Sequence, residues 1–123
     1  MTKEYYSPPG ASLPFSRLVK AGNMIYTSGH TGSRDSDGSP LTNIEDQTLQ
    51  TMMNLQKTLE AGAVTFDDAV KATIFLKNAE DFSGMNKVYR SFYGENLPAR
   101  STLVTDLVAD SILVEIELVL YKE

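Results

Sequence analysis

Ile112-Leu113-Val114-Glu115-Ile116-Glu117-Leu118-Val119-Leu120-Tyr121 alternates with a period of two over ten residues. Its even positions, Ile112, Val114, Ile116, Leu118 and Leu120, are all apolar, so one face of a β-strand must be buried. Its odd positions mix Leu113, Val119 and Tyr121 with Glu115 and Glu117. The pleat puts the two glutamates on the same side of the sheet. A strand with one wholly apolar face and one mixed face asks for a covering layer on one side only.

That layer lies upstream. Thr42-Asn43-Ile44-Glu45 matches a capping box, with Thr42 as N-cap and Glu45 reaching back to it. Ile44, Thr48, Met52, Leu55 and Leu59 then recur at three and four residues, one face of a helix of about four turns that Gly62 stops. A second helix, capped by Asn78, presents Phe82, Met85, Tyr89 and Phe92 and closes at Gly94. Between the helices Val70, Ala72, Ile74 and Leu76 alternate with Lys71, Thr73, Phe75 and Lys77, which is a strand. Asp67-Asp68 before it reads as solvated. Arg17–Lys20 and Met24–Ser28 read as two strands around the turn Ala21-Gly22-Asn23, with a short strand expected at Glu4–Tyr6. Residues 32–40 are a polar surface loop. Ser101–Leu107 reads as the strand before the last.

The order β-β-α-β-α-β-β predicts an α+β fold in which two helices cover one face of a single sheet. An open face carrying Phe75, Leu113 and Val119 exposes an apolar patch, and such patches usually meet a partner, so an oligomer is expected.

The chain of 123 residues fits one domain spanning 1–123, 41% hydrophobic and 22% charged. Its apolar runs are too short to span a membrane, and Met1–Tyr6 lacks the apolar stretch of a signal peptide. Cysteine is absent, which removes disulfides, thiolate chemistry and cysteine metal sites and fits a cytoplasmic location. A net charge of −5, with eleven basic residues scattered and never three in a row, makes nucleic acid a poor partner.

Few residues carry chemistry. His30 is the only histidine; with Ser28 it suggests a Ser-His pair, but no orienting acid or oxyanion hole accompanies them, and it reads as a loop or rim histidine. A zinc site is not expected from one histidine and no cysteine. Arg100, in Asn96-Leu97-Pro98-Ala99-Arg100-Ser101-Thr102, has no acid beside it in sequence. Pro98 disfavours helix before it, so the arginine begins a strand of determined direction. A guanidinium there is either half of a salt bridge to a distant acid or a planar fork for a carboxylate or phosphate.

That Pro-Ala-Arg-Ser box, followed fifteen residues after the arginine by Glu115 in Val114-Glu115-Ile116-Glu117, closely resembles the signature of the RidA/YjgF family, also called the endoribonuclease L-PSP family. Ala21–Gly29, Leu59–Ala63, Val70–Leu76 and Asp81–Tyr89 resemble its remaining segments. The resemblance implies a chorismate-mutase-like α+β fold, a homotrimer with sites between subunits, and hydrolysis of enamine/imine intermediates of the 2-iminobutanoate and 2-iminopropanoate type to 2-oxo acids and ammonia, without a metal or organic cofactor. On that pattern Arg100 would clamp the substrate carboxylate and Glu115 would hold and activate water. Phe15, Ser28, Asn86 and Thr102 would line the pocket. Phe15 stands where the family often has tyrosine, His30 where it has glutamine, Thr102 where cysteine is frequent, and Leu107–Asp110 replaces a proline-bearing turn; these departures bear on substrate preference. The rival readings are a binding module for small carboxylates and an RNA-directed activity.

Overall fold

The computed structural model describes residues 2–123. Six strands, β1 (Lys3–Tyr6), β2 (Leu18–Ala21), β3 (Met24–Thr27), β4 (Ala69–Leu76), β5 (Ala99–Val104) and β6 (Val114–Tyr121), form one mixed sheet in the order β1-β2-β3-β6-β4-β5. Two helices accompany it, α1 (Ile44–Ala61) and α2 (Phe82–Arg90). This is the expected α+β architecture, including the short first strand. Every neighbouring pair is antiparallel except β4 and β5. Parallel strands need a crossover, and α2 supplies it.

The core confirms the period-two reading of the last strand. Val114, Ile116, Leu118 and Leu120 are buried, and they meet Leu18, Ile25, Ala72, Ile74 and Leu76 from the sheet and Met52, Leu55, Leu59, Met85 and Tyr89 from the helices. Gln47 and Thr51 are buried on α1 as well. Gln47 donates to the carbonyls of Leu41 and Ser111 and accepts from the Leu113 amide, so one side chain ties α1 to the start of β6.

Several local expectations are corrected. The N-cap of α1 is Asn43, whose Oδ1 accepts from the Asp46 amide at 2.9 Å; Thr42 lies one residue outside. Both types cap well, and the oxygen that reaches the third helical amide prevails. Glu45 instead approaches Lys87 at 3.9 Å, an exposed pair between the helices. Gly62 does end α1, but the left-handed residue is Ala63, at φ 58°. The Val64 amide bonds to the Leu59 carbonyl and the Ala63 amide to Glu60, the paired closure of a Schellman motif. Gly62 is small because a Cβ there would lie 2.9 Å from Leu18 Cδ1.

Val70 is exposed rather than part of the apolar face, because Ala69 pairs with Leu120 and Lys71 with Val119, leaving Val70 bulged out between them. Asp67 and Asp68 lie in a 3₁₀ turn, Phe66–Asp68. Another 3₁₀ turn, Ala79–Asp81, follows Asn78, whose side chain makes no capping bond; α2 starts after it and ends at Arg90, short of Gly94. β5 begins at Ala99 and ends at Val104, and β6 begins at Val114, so the loop between them is longer than expected.

Candidate functional site

Arg100 lies in β5 in register with Ala72 of β4, whose side chain is buried beneath the helices. Residues in register share a face, so Arg100 and, two residues on, Thr102 stand on the α2 side of the sheet. The Arg100 guanidinium carbon is 5.1 Å from the centre of the Tyr89 ring and 5.6 Å from that of Phe82. These contacts hold the cation over two π faces without using its hydrogen-bond donors. They also explain why Phe82 is 44% exposed: at the end of the apolar face it packs toward the arginine rather than into the core. Among the described residues the ion pairs are Lys77–Asp110 and Lys87–Glu45, and Arg100 is in neither. Of the two readings left open by the sequence, the salt bridge is therefore not made.

The guanidinium opens on a cleft of about 420 Å³ lined by Asn86, Tyr89, Arg90, Leu97, Pro98 and Arg100. Two buried oxygens there, Asn86 Oδ1 and the Tyr89 hydroxyl, have no hydrogen-bond partner. Buried polar atoms are ordinarily paired, and unpaired ones beside an uncommitted arginine suit an incoming polar molecule. Burial pushes the Tyr89 hydroxyl upward, against smaller downward pulls from the neighbouring Tyr93 hydroxyl and then from Arg100, so it remains a neutral donor and acceptor. Tyr89 also belongs to the buried core face of α2. Its place three residues after Asn86 on a helix puts the two side by side, and that spacing was the available signal. β5 is the edge strand of the sheet, so the Thr102 backbone has an open side.

Glu115 faces the other way. It pairs in register with Phe75, on the side of the sheet away from the helices, and Glu117 pairs with Thr73 on that same side. Burial, and then the like charge of Glu117, push the Glu115 carboxyl above the ordinary carboxylate range. Its carboxylate lies over Gly29, where any Cβ would collide with it. The preceding Ser28 donates its hydroxyl to the Ser16 carbonyl, and Phe15, next to Ser16, is 50% exposed.

His30 is not a rim residue. It is buried, and its backbone exchanges hydrogen bonds with Ile116, at 2.8 and 3.0 Å, which fixes the Ser28-Gly29 segment against the residue after Glu115. Its Nδ1 faces the Ser28 carbonyl at 2.8 Å and its Nε2 faces Thr58 Oγ1 at 2.8 Å. A carbonyl only accepts, so Nδ1 carries the proton and Nε2 accepts from Thr58. Burial lowers the imidazole's proton affinity and the Arg17 charge adds to that, outweighing the Ser28 bond, so the ring is neutral. The ring meets the Ser28 carbonyl and not its hydroxyl, which removes the Ser-His pair as a nucleophile.

The structure thus brings Arg100 and Asn86 together, with Thr102 on their face, and separately sets Glu115 against Gly29, the residue after Ser28, whose hydroxyl is tied to the carbonyl next to Phe15. One chain does not join the two groups, because the sheet lies between them.

The class the fold defines is a single mixed α+β sheet with two helices on one face, an arginine in no ion pair over an edge cleft and a carboxylate on the other face. The chain belongs to the RidA/YjgF family: the family profile described as Endoribonuclease L-PSP matches residues 6–122. It is 36% identical over 111 residues to a RutC family protein of Pyrococcus horikoshii, covering 89% of this chain and 88% of that one. It is 33% identical over 111 residues to a 2-iminobutanoate/2-iminopropanoate deaminase of Dermatophagoides farinae, covering 89% and 87%. The solved structure of RidA from a Psychrobacter species superposes with a TM-score of 0.82 at 30% identity, over 93% of each chain. That of the yeast protein YEO7 superposes at 0.87 and 27% identity, over 99% of this chain and 100% of that one.

Proposed function

We propose that this protein hydrolyses 2-imino acids, of the 2-iminobutanoate and 2-iminopropanoate type, to 2-oxo acids and ammonia, in sites shared between subunits of a homotrimer. The observation that carries this is Arg100, held by two aromatic rings over a cleft and in no ion pair among the described residues. A substrate that brings its own carboxylate supplies the missing acid and takes the fork in bidentate geometry. Relatives named as imine deaminases support the same reading.

The chemistry suits the residues. An iminium carbon is already electrophilic, so water can add without a protein nucleophile. Glu115 of an adjoining subunit accepts the proton as the C–O bond forms. Glu115 then returns that proton to the carbinolamine nitrogen, the C–N bond breaks and ammonia leaves, and the hydroxyl gives up its proton to the Glu115 carboxylate or to water as the C=O of the 2-oxo acid forms. Holding the substrate carboxylate in one orientation supplies several kcal/mol of this barrier. Asn86, Ser28 and Thr102 bound the pocket, and Phe15 closes it with a ring that has no hydroxyl to offer.

The experiment is ammonia release from 2-iminobutanoate generated in situ. Arg100→Ala should lose turnover while keeping fold and oligomeric state. Arg100→Lys should lose at least about tenfold in kcat/KM, because a point charge cannot reproduce the fork. Wild-type rates in the alanine variant would defeat the reading. Binding of 2-oxobutanoate with no ammonia release by the wild type would leave a carboxylate-binding protein instead.

A further inference from the structure

A second cavity, of about 370 Å³, lies between the exit of β1 and the C-terminal half of α1, and shares no lining residue with the Arg100 cleft. Tyr6, Pro8, Pro9 and Ala61 give it apolar walls; Arg17 and Lys57 line it and no acidic residue does. In a chain of net charge −5, two cations in an acid-free pocket are a local exception. Neither makes an ion pair among the described residues. Arg17 Nε is buried and has no hydrogen-bond partner. Leaving a charged donor in that state costs free energy unless something pairs with it. The neighbouring polar groups are already committed: Asn54 donates to the Thr31 carbonyl, Thr58 is bonded to His30, and the Tyr6 hydroxyl donates to Glu4.

We propose that this cavity is a second ligand site, which takes a small monocarboxylate with an apolar or aromatic body. The Arg17 fork receives the carboxylate, Lys57 adds charge at the mouth, and the body lies along Tyr6, Pro8 and Pro9. The volume is at the small end of ligand pockets, which run from roughly 300 to 1,000 Å³. A single guanidinium satisfies one carboxylate, whereas a phosphate would leave oxygens unpaired against proline and tyrosine.

The test is an amide and arginine Nε NMR titration of the full-length protein with phenylacetate, repeated with inorganic phosphate. Saturable shifts at Tyr6, Thr58 and Arg17 Nε are expected, and they should persist unchanged in Arg100→Ala, which separates this site from the first. Arg17→Gln should weaken binding about tenfold, the loss of a charge-assisted pair. Lys57→Gln, at an exposed helix position that cannot endanger the fold, should weaken it several-fold. Shifts that vanish in Arg100→Ala, no saturation with phenylacetate, phosphate binding as tightly as phenylacetate, or undiminished binding in Lys57→Gln would each overturn the proposal.

Discussion

Glu115 pays for its position in the fold. Its carboxyl is raised above the ordinary value of 4.5 by burial and by Glu117, so between that value and its raised one the folded protein binds more protons than the unfolded chain. Stability contributed at this residue therefore falls as pH rises through that window, and the loss is complete above it. Glu115→Gln should melt at a higher temperature than wild type at pH 7, and the difference should disappear below pH 4.5; melting curves across pH check this. The same variant should lower kcat more than it weakens binding of a 2-oxo acid, since it keeps the shape and removes the proton acceptor. Glu117→Gln should do much less to the rate: a two-residue step shifts a side chain roughly 6.6 Å along the strand. A larger rate loss in Glu117→Gln would reverse the assignment. At this scale Arg100 was legible, because Pro98 and the lack of local acids single it out. Asn86 was marked only by the resemblance, and the buried role of His30 was not legible, since its partners Thr58 and Ile116 are remote in sequence.

The end of α1 is the element in which local sequence and local conformation disagree. The left-handed position is occupied by Ala63, while the glycine stands one residue earlier, where Leu18 leaves no room for a Cβ. A left-handed non-glycine residue costs roughly 1–2 kcal/mol, part of which glycine would return as unfolded-state entropy. Ala63→Gly should therefore stabilise by about 0.5–1 kcal/mol in urea denaturation, and Gly62→Ala should destabilise through Leu18. Helix and strand types were readable from their periods, down to the buried face of α1. Boundaries were not: Thr42 and Asn43 are both good caps, and only the geometry of the first turn selects Asn43. The bulge that expels Val70 left no mark in the alternation, because the extra residue is itself apolar.

Across the whole molecule, the sheet face away from the helices carries Val19, Tyr26 and Val119 in register across three strands, with Phe75 and Leu103 paired beyond them. Tyr26 and Leu103 are 46% and 47% exposed. The expected apolar patch is there, and covering it by like chains is the simplest remedy. A sedimentation mass of three times 13.6 kDa is predicted, and a mass of one chain would remove the shared site. That a single open face would exist was legible in residues 112–121. The insertion of β6 between β3 and β4 was not, because strand neighbours are chosen by pairing between distant segments. The placement of Arg100 and Glu115 on opposite faces of one sheet also makes the two defects separable by genetics. On the proposed mechanism Arg100→Ala and Glu115→Gln chains should each be impaired alone, yet each carries what the other lacks. Unfolded together in equal amounts and refolded, they should recover about one quarter of the wild-type activity, the share of subunit junctions in a cyclic trimer that receive both intact halves by chance. No recovery would place both groups within one chain's own site.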